Sequence, residues 1–130
     1  MAQDSFSVQS KGGEIFIAGA VKISECHRLL AAVHDRVDVK GYENISLDFS
    51  ECTHAFPGPM NAVTSQIMAL RAKAIQVDLT LPTDPQLARL FHNANWAHLI
   101  APEMYDPSRF RGRSQVPATQ FESLAEQRVL

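Results

Sequence analysis

No stretch of this 130-residue chain is apolar for the length that a bilayer crossing needs. Its first residues, MAQDSFSVQSKGG, lack the basic and apolar regions of a secretory leader. A cytoplasmic location is therefore the default expectation. Cysteine is scarce. Cys26 and Cys52 are the only two, and they suit buried small hydrophobes in a reducing compartment. A surplus of positive charge is missing as well. Twelve Lys and Arg against 14 Asp and Glu give a net charge of -2, which offers no footprint for nucleic acid or an anionic membrane.

Several chemistries lack their parts. The five histidines are His27, His34, His54, His92 and His98. None has a zinc spacing to a cysteine or acid, so no metal is expected. No glycine-rich phosphate loop with its following lysine occurs, and no cofactor is expected. Cys52 stands two residues from His54, poor geometry for a nucleophile and its base, with no third orienting residue. Asp48 lies inside a strand pattern, without the acidic pair and lysine of a receiver domain. No constellation of nucleophile, base and orienting group supports an enzyme.

What is present reads as one globular domain. Apolar residues make up 45% and charged residues 20%. A chain this long buries about two-thirds of its unfolded surface without needing a disulfide or metal. FSVQS (residues 6–10) and EIFIAG (residues 14–19) read as a hairpin around KGG. Ser24 stands where an N-cap should. A first helix follows, with Cys26, Leu29, Leu30, Val33 and Val37 as its stripe and Gly41 as its stop. NISLDFS alternates, with Ile45, Leu47 and Phe49 on one side and Ser46 and Asp48 on the other. IQVDLTL does the same.

Between them a second helix is predicted over residues 59–74, with Val63, Ile67, Leu70 and Ala74 inward. Asp84 and Pro85 open a third, with Leu87, Leu90, Phe91 and Ala94 buried. AHLIA reads as a short last strand. The expected fold is two-layer α/β, a mixed sheet of four or five strands with helices mainly on one face, in the order β-β-α-β-α-β-α. Both alternating strands imply one wet or partly covered face, which argues against a doubly wound sheet. This domain spans residues 1–101. Residues 102–118, with three prolines and Arg109, Arg111 and Arg113, read as a solvated linker or strap. Residues 119–130 begin a helix, with Thr119 and Glu122 at capping-box spacing, leading to a further domain or a partner helix.

The stretch ISLDFSECTHAFPGPMNAV resembles the central signature of STAS domains, the fold of bacterial anti-sigma-factor antagonists and sulfate-transporter tails. Asp48, Phe49 and Ser50 match its opening, and Met60 matches the apolar residue after its turn. LTLPTDPQLARLFHNANWAHLI resembles the family's next strand, helix and ending. The resemblance covers about residues 6–101. It implies a regulatory protein-interaction module whose partner is a histidine-kinase-like ATPase of the anti-sigma type, separate or following in the same polypeptide. One departure stands out. The family's phosphorylatable serine falls at Pro57, its preceding Asp at Phe56 and its Gly at Pro59. Proline has no hydroxyl, so the usual charge switch has no acceptor.

The residues also speak without the family. Pro57 and Pro59 fix their own φ and push Phe56 and Gly58 toward extended backbone. Phe56 then has two open readings, a rigid anchor for a partner or a plug in the core. The expected docking surface is the loop over residues 53–59 (Thr53, His54, Phe56, Pro57, Gly58 and Pro59) with the outer side of the second helix: Asn61, Thr64, Ser65, Met68 and Arg71. The alternative is a sensor of a small anion or nucleotide. It would bind at that helix start through the amides of Met60 and Asn61, with Thr53 and His54 leaning in.

Overall fold

The structure, a computed structural model, describes residues 5–108. The expected helix over 119–130, most of the expected linker, and Arg109, Arg111 and Arg113 lie outside the described residues. Strands β1 (Ser7–Lys11) and β2 (Glu14–Val21) form the antiparallel hairpin. Its turn places Gly12 at φ 59°, the left-handed region that glycine enters freely. Helix α1 (Cys26–His34) follows and runs into a π-helical turn, Asp35–Val39. Gly41, at φ 79°, ends it. Then come β3 (Asn44–Ala55), α2 (Pro57–Ala72), β4 (Gln76–Thr80), α3 (Pro85–Asn93) and α4 (Trp96–Ile100).

The four strands lie in the order β1-β2-β3-β4, with β2, β3 and β4 parallel. Two successive crossovers in one direction, both right-handed, put α1 and α2 on the same face. Burial agrees. Ile15, Ile17, Ile45, Leu47, Phe49, Val77 and Leu79 are sealed under Leu29, Val33, Met60, Val63, Ile67 and Phe91. Phe91 of α3 meets Phe49 edge-on at 5.2 Å and Trp96 at 5.4 Å. Such contacts add about 0.5–1.5 kcal/mol each beyond burial. The opposite face carries Glu14, Phe16, Ser46, Asp48, Gln76, Asp78 and Thr80, and no described helix covers it.

Four local expectations are corrected. AHLIA is helical, because Trp96, Ala97, Leu99 and Ile100 all find burial on a short helix packed against α2 and α3. Ser24 caps nothing. The Glu25 and Cys26 amides both donate to the Lys22 carbonyl, so a turn precedes α1 and Glu25 holds the cap position without a side-chain bond. Ala74 is exposed, not inward. It stands at φ 70° beyond α2, where the amides of Ala74 and Ile75 donate back to the carbonyls of Arg71 and Leu70 at 2.9 and 3.1 Å. That pair of bonds is a Schellman ending, with alanine where glycine is usual. Finally, α2 begins at Pro57, two residues before the expected start.

Residues 102–108 are strapped to the domain. The Tyr105 hydroxyl donates to the Leu79 carbonyl at 2.9 Å. The Ser108 hydroxyl donates to the Asn93 carbonyl at 3.0 Å, and the Ser108 amide to Asn95 Oδ1 at 2.9 Å.

Candidate functional site

The stretch HAFPGPM is a junction of one residue rather than a loop. Strand β3 continues through Thr53 and His54 to Ala55, and α2 starts at Pro57. Phe56 alone lies between them, at φ -114° and ψ 148°. This is the extended backbone that the following proline enforces. Gly58 departs from expectation. It is helical despite preceding Pro59, because without a Cβ it escapes the main clash with the proline ring, and in the first turn Pro59 lacks no bond that a helix would make.

Strand β3 outruns β4. Its last β4 partner is Asp48, whereas its pairing with β2 continues to Val21↔Ala55. The parallel strands β2 and β3 therefore end side by side, and each hands over to a helix at the same edge. Two apolar side chains emerge there. Phe56 is 43% exposed and Ile23, at the tip of the turn after β2, is 71% exposed. Ile23 Cδ1 would lie 3.6 Å from a Cβ added at Gly58, so the two turns touch. The His54 ring stacks near-parallel to Phe56, with centroids 6.4 Å apart, and its Nδ1 lies 3.2 Å from Thr53 Oγ1. With Phe56 outside, the core-plug reading fails. Phe49 and Met60, by contrast, are fully buried in the core.

Along α2 the expected surface contracts. Thr53, His54, Pro57, Gly58 and Ser65 are exposed, and Asn61 and Met68 are half-buried. Pro59 and Thr64 are buried, which removes them from any docking face. Helical spacing turns both toward the core, and the Thr64 hydroxyl donates to the Asn61 carbonyl at 3.0 Å. Arg71 is mostly covered, and its guanidinium is drawn onto Glu103 of the strap. A backbone hydrogen bond, joined by the Arg71 pairing, holds the Glu103 carboxyl below its usual range. Ile23 escaped the reading of the sequence. The signal was there, an isoleucine inside a polar KISE turn, but nothing local says that two turns will meet.

The anion alternative loses most of its donors. The Met60 amide already donates to the Phe56 carbonyl at 3.0 Å, and the Met60 side chain is fully buried. Pro57 and Pro59 have no N–H at all. Of the first three residues of α2, only Gly58 carries an amide proton. The fold withholds a crevice too. Ligand clefts in open α/β sheets form where strand order reverses, and β2, β3 and β4 run in sequence without reversal.

Cys52 is buried at this end of β3. Its thiol donates to the His54 carbonyl at 3.3 Å, and burial pushes its pKa up to about 12. A thiol so held stays protonated and is a structural group. Among the described residues, no three His, Cys, Asp or Glu side chains are grouped to hold a metal ion. No described helix is long and apolar enough to cross a membrane.

No family model matches the sequence, and no curated protein matches it. Solved structures do. One, described as "Crystal Structure Analysis of Mglu", aligns at a TM-score of 0.47 and 15% identity over 58% of this chain, which spans 19% of that chain. Another is "Structure of the Anti-Sigma Factor Antagonist SpoIIAA in its Unphosphorylated Form". It aligns at a TM-score of 0.51 and 15% identity, over 97% of this chain and 100% of that one. A mixed four-stranded sheet with its helices on one face, matched end to end by an anti-sigma-factor antagonist, gives this chain a STAS-like fold.

Proposed function

We propose that this protein is a non-catalytic regulatory module of the STAS type that binds a protein partner at the edge where β2 and β3 end. The observation that carries this is the exposed pair Phe56 and Ile23, projected from two touching turns. A large aromatic left in water beside a second apolar side chain is the composition of an interface anchor. The one-residue junction between β3 and α2 leaves Phe56 little freedom to lose on binding. The surface is Ile23, Thr53, His54, Phe56, Pro57 and Gly58, continued by Asn61, Ser65 and Met68.

The partner we infer is a histidine-kinase-like ATPase domain of the anti-sigma type, separate or in the same polypeptide. The end-to-end likeness to an anti-sigma-factor antagonist supports this choice. Pro57 stands where the resemblance places an acceptor serine, so the binding is not switched by phosphorylation there. The test is titration of the purified chain into such ATPase domains by calorimetry. Binding that weakens at least tenfold in Phe56→Ala supports the proposal. No binding to any of them overturns the partner, and binding indifferent to Phe56 overturns the surface.

A further inference from the structure

Helix α2 ends beside α4 and the strap, and a cavity of about 380 Å³ opens there. It is lined by Met68, Arg71 and Ala72 of α2, His98 and Leu99 of α4, and Pro102. Its volume lies within the range of small-molecule sites. Met68, Arg71 and Ala72 reach it together because residues three and four apart share a helix face. Four of the six lining residues are apolar, and they surround one permanent cation, Arg71. Methionine is the wall that adapts best to the shape of what it touches. The His98 ring is fixed. Its Nδ1 lies 2.8 Å from the Tyr105 carbonyl oxygen, which only accepts, so Nδ1 carries the proton.

The cation is half satisfied. Arg71 Nη2 donates to Glu103 Oε2. Arg71 Nη1 is sealed from solvent and has no acceptor among the described residues. A guanidinium presents its donors as a fork, which a carboxylate taking two of them at once fits best. A charged donor left buried and unpaired is costly. The two partners are unequally held. The Arg71 side chain is 17% exposed and the Glu103 side chain 59%. The cation is therefore built into the fold, and the acid stands at the rim. Glu103 also shows which kind of group the site accepts, since it is itself a carboxylate seated on one arm of the fork.

We propose that this cavity binds a small carboxylate with an apolar body, which takes the place of Glu103 on Arg71. The Glu103 side chain turns out into water. Both terminal nitrogens of Arg71 then meet the two ligand oxygens, and the apolar body lies along Met68, Leu99 and Pro102. The gain over the resting ion pair is a second charged hydrogen bond and the apolar surface covered. The site lies at the end of α2 remote from Phe56. It shares Met68 with the surface proposed above, and no protein partner enters its test, so the two proposals fail separately.

The chain has four methionines, and carbon-13 labelling of their methyl groups lets NMR follow each one. Met68→Leu assigns the resonance at the cavity. The full chain is titrated with benzoate, with benzamide, which keeps the ring without the charge, and with acetate, which keeps the charge without the ring. The expected result is a saturable shift of Met68 with benzoate while Met60, sealed in the core, stays in place. Benzamide and acetate should each need about tenfold higher concentration or more. Glu103→Gln alters an exposed side chain and should tighten benzoate binding about two- to fivefold, the size of an exposed ion pair removed from competition. Benzamide binding as well as benzoate overturns the proposal, because the cavity would then read only shape. So does a Met68 resonance that does not move with benzoate, or a Glu103→Gln chain that binds benzoate no tighter than the parent.

Discussion

Two helices of this protein start on a proline after a strand, and they start differently. At α3 the cap is Asp84, whose Oδ2 accepts the Leu87 amide at 2.9 Å, with Pro85 in the first turn. At α2 the cap position is Phe56, with Pro57 in the first turn and no side-chain hydrogen bond. One start satisfies its backbone and buries its stripe. The other leaves the cap unmade and places an aromatic in water. A capping side chain is worth about 1 kcal/mol. Under the docking proposal, the start of α2 keeps its exposed ring for a partner.

Substitutions break this comparison at either end. Phe56→Ala carries the largest expected effect. Partner affinity falls at least tenfold, about 1.4 kcal/mol, while unfolding free energy stays within about 0.5 kcal/mol. Calorimetric binding and thermal melts on the same sample check both. Asp84→Ala gives the reverse, a loss of about 1 kcal/mol in urea-measured stability with unchanged affinity. Pro57→Ala costs roughly 0.4–1 kcal/mol, because it frees the unfolded chain at a position where proline already fits. The smallest expected effect is none. Millimolar nucleotide leaves the melting temperature unmoved, since the start of α2 offers Gly58 as its lone early donor. A clear upward shift would restore the anion reading.

Away from this comparison, Gly19 is the most tightly hemmed of the described glycines. It stands at φ 84° in the irregular stretch of β2, where a Cβ would fall 1.9 Å from the Ser5 carbonyl oxygen. Nothing in EIFIAG announces this. The close approach comes from residue 5 folding back, a contact made only in three dimensions.

Other features were legible because they are local. Ile45, Leu47 and Phe49 alternate, and they are buried in alternation. Asp84 before Pro85 announces a capped helix, and it is one. Legibility ended where partners decide. AHLIA is short and apolar, and such a run reads as strand or buried helix until its neighbours are known. The second half of β3 loses its alternation beyond Phe49, alongside the irregular pairing with β2, so its continuation to Ala55 was hidden. This shrank the expected loop over residues 53–59 to Phe56 alone. Pro59 and Thr64 went inward because α2 starts early and turns them to the core.

The central claim is that Phe56 at the start of α2 is a contact residue rather than a structural one, and Phe56→Asp tests it in one variant. Aspartate there removes the ring, and its carboxylate finds only the Gly58 amide to accept from, because Pro59 stands where α3 has the Leu87 N–H. The account predicts an unfolding free energy within about 0.5 kcal/mol of the parent's, with partner affinity reduced at least tenfold in the same preparation. Undiminished affinity in a variant that folds as stably as the parent would contradict it.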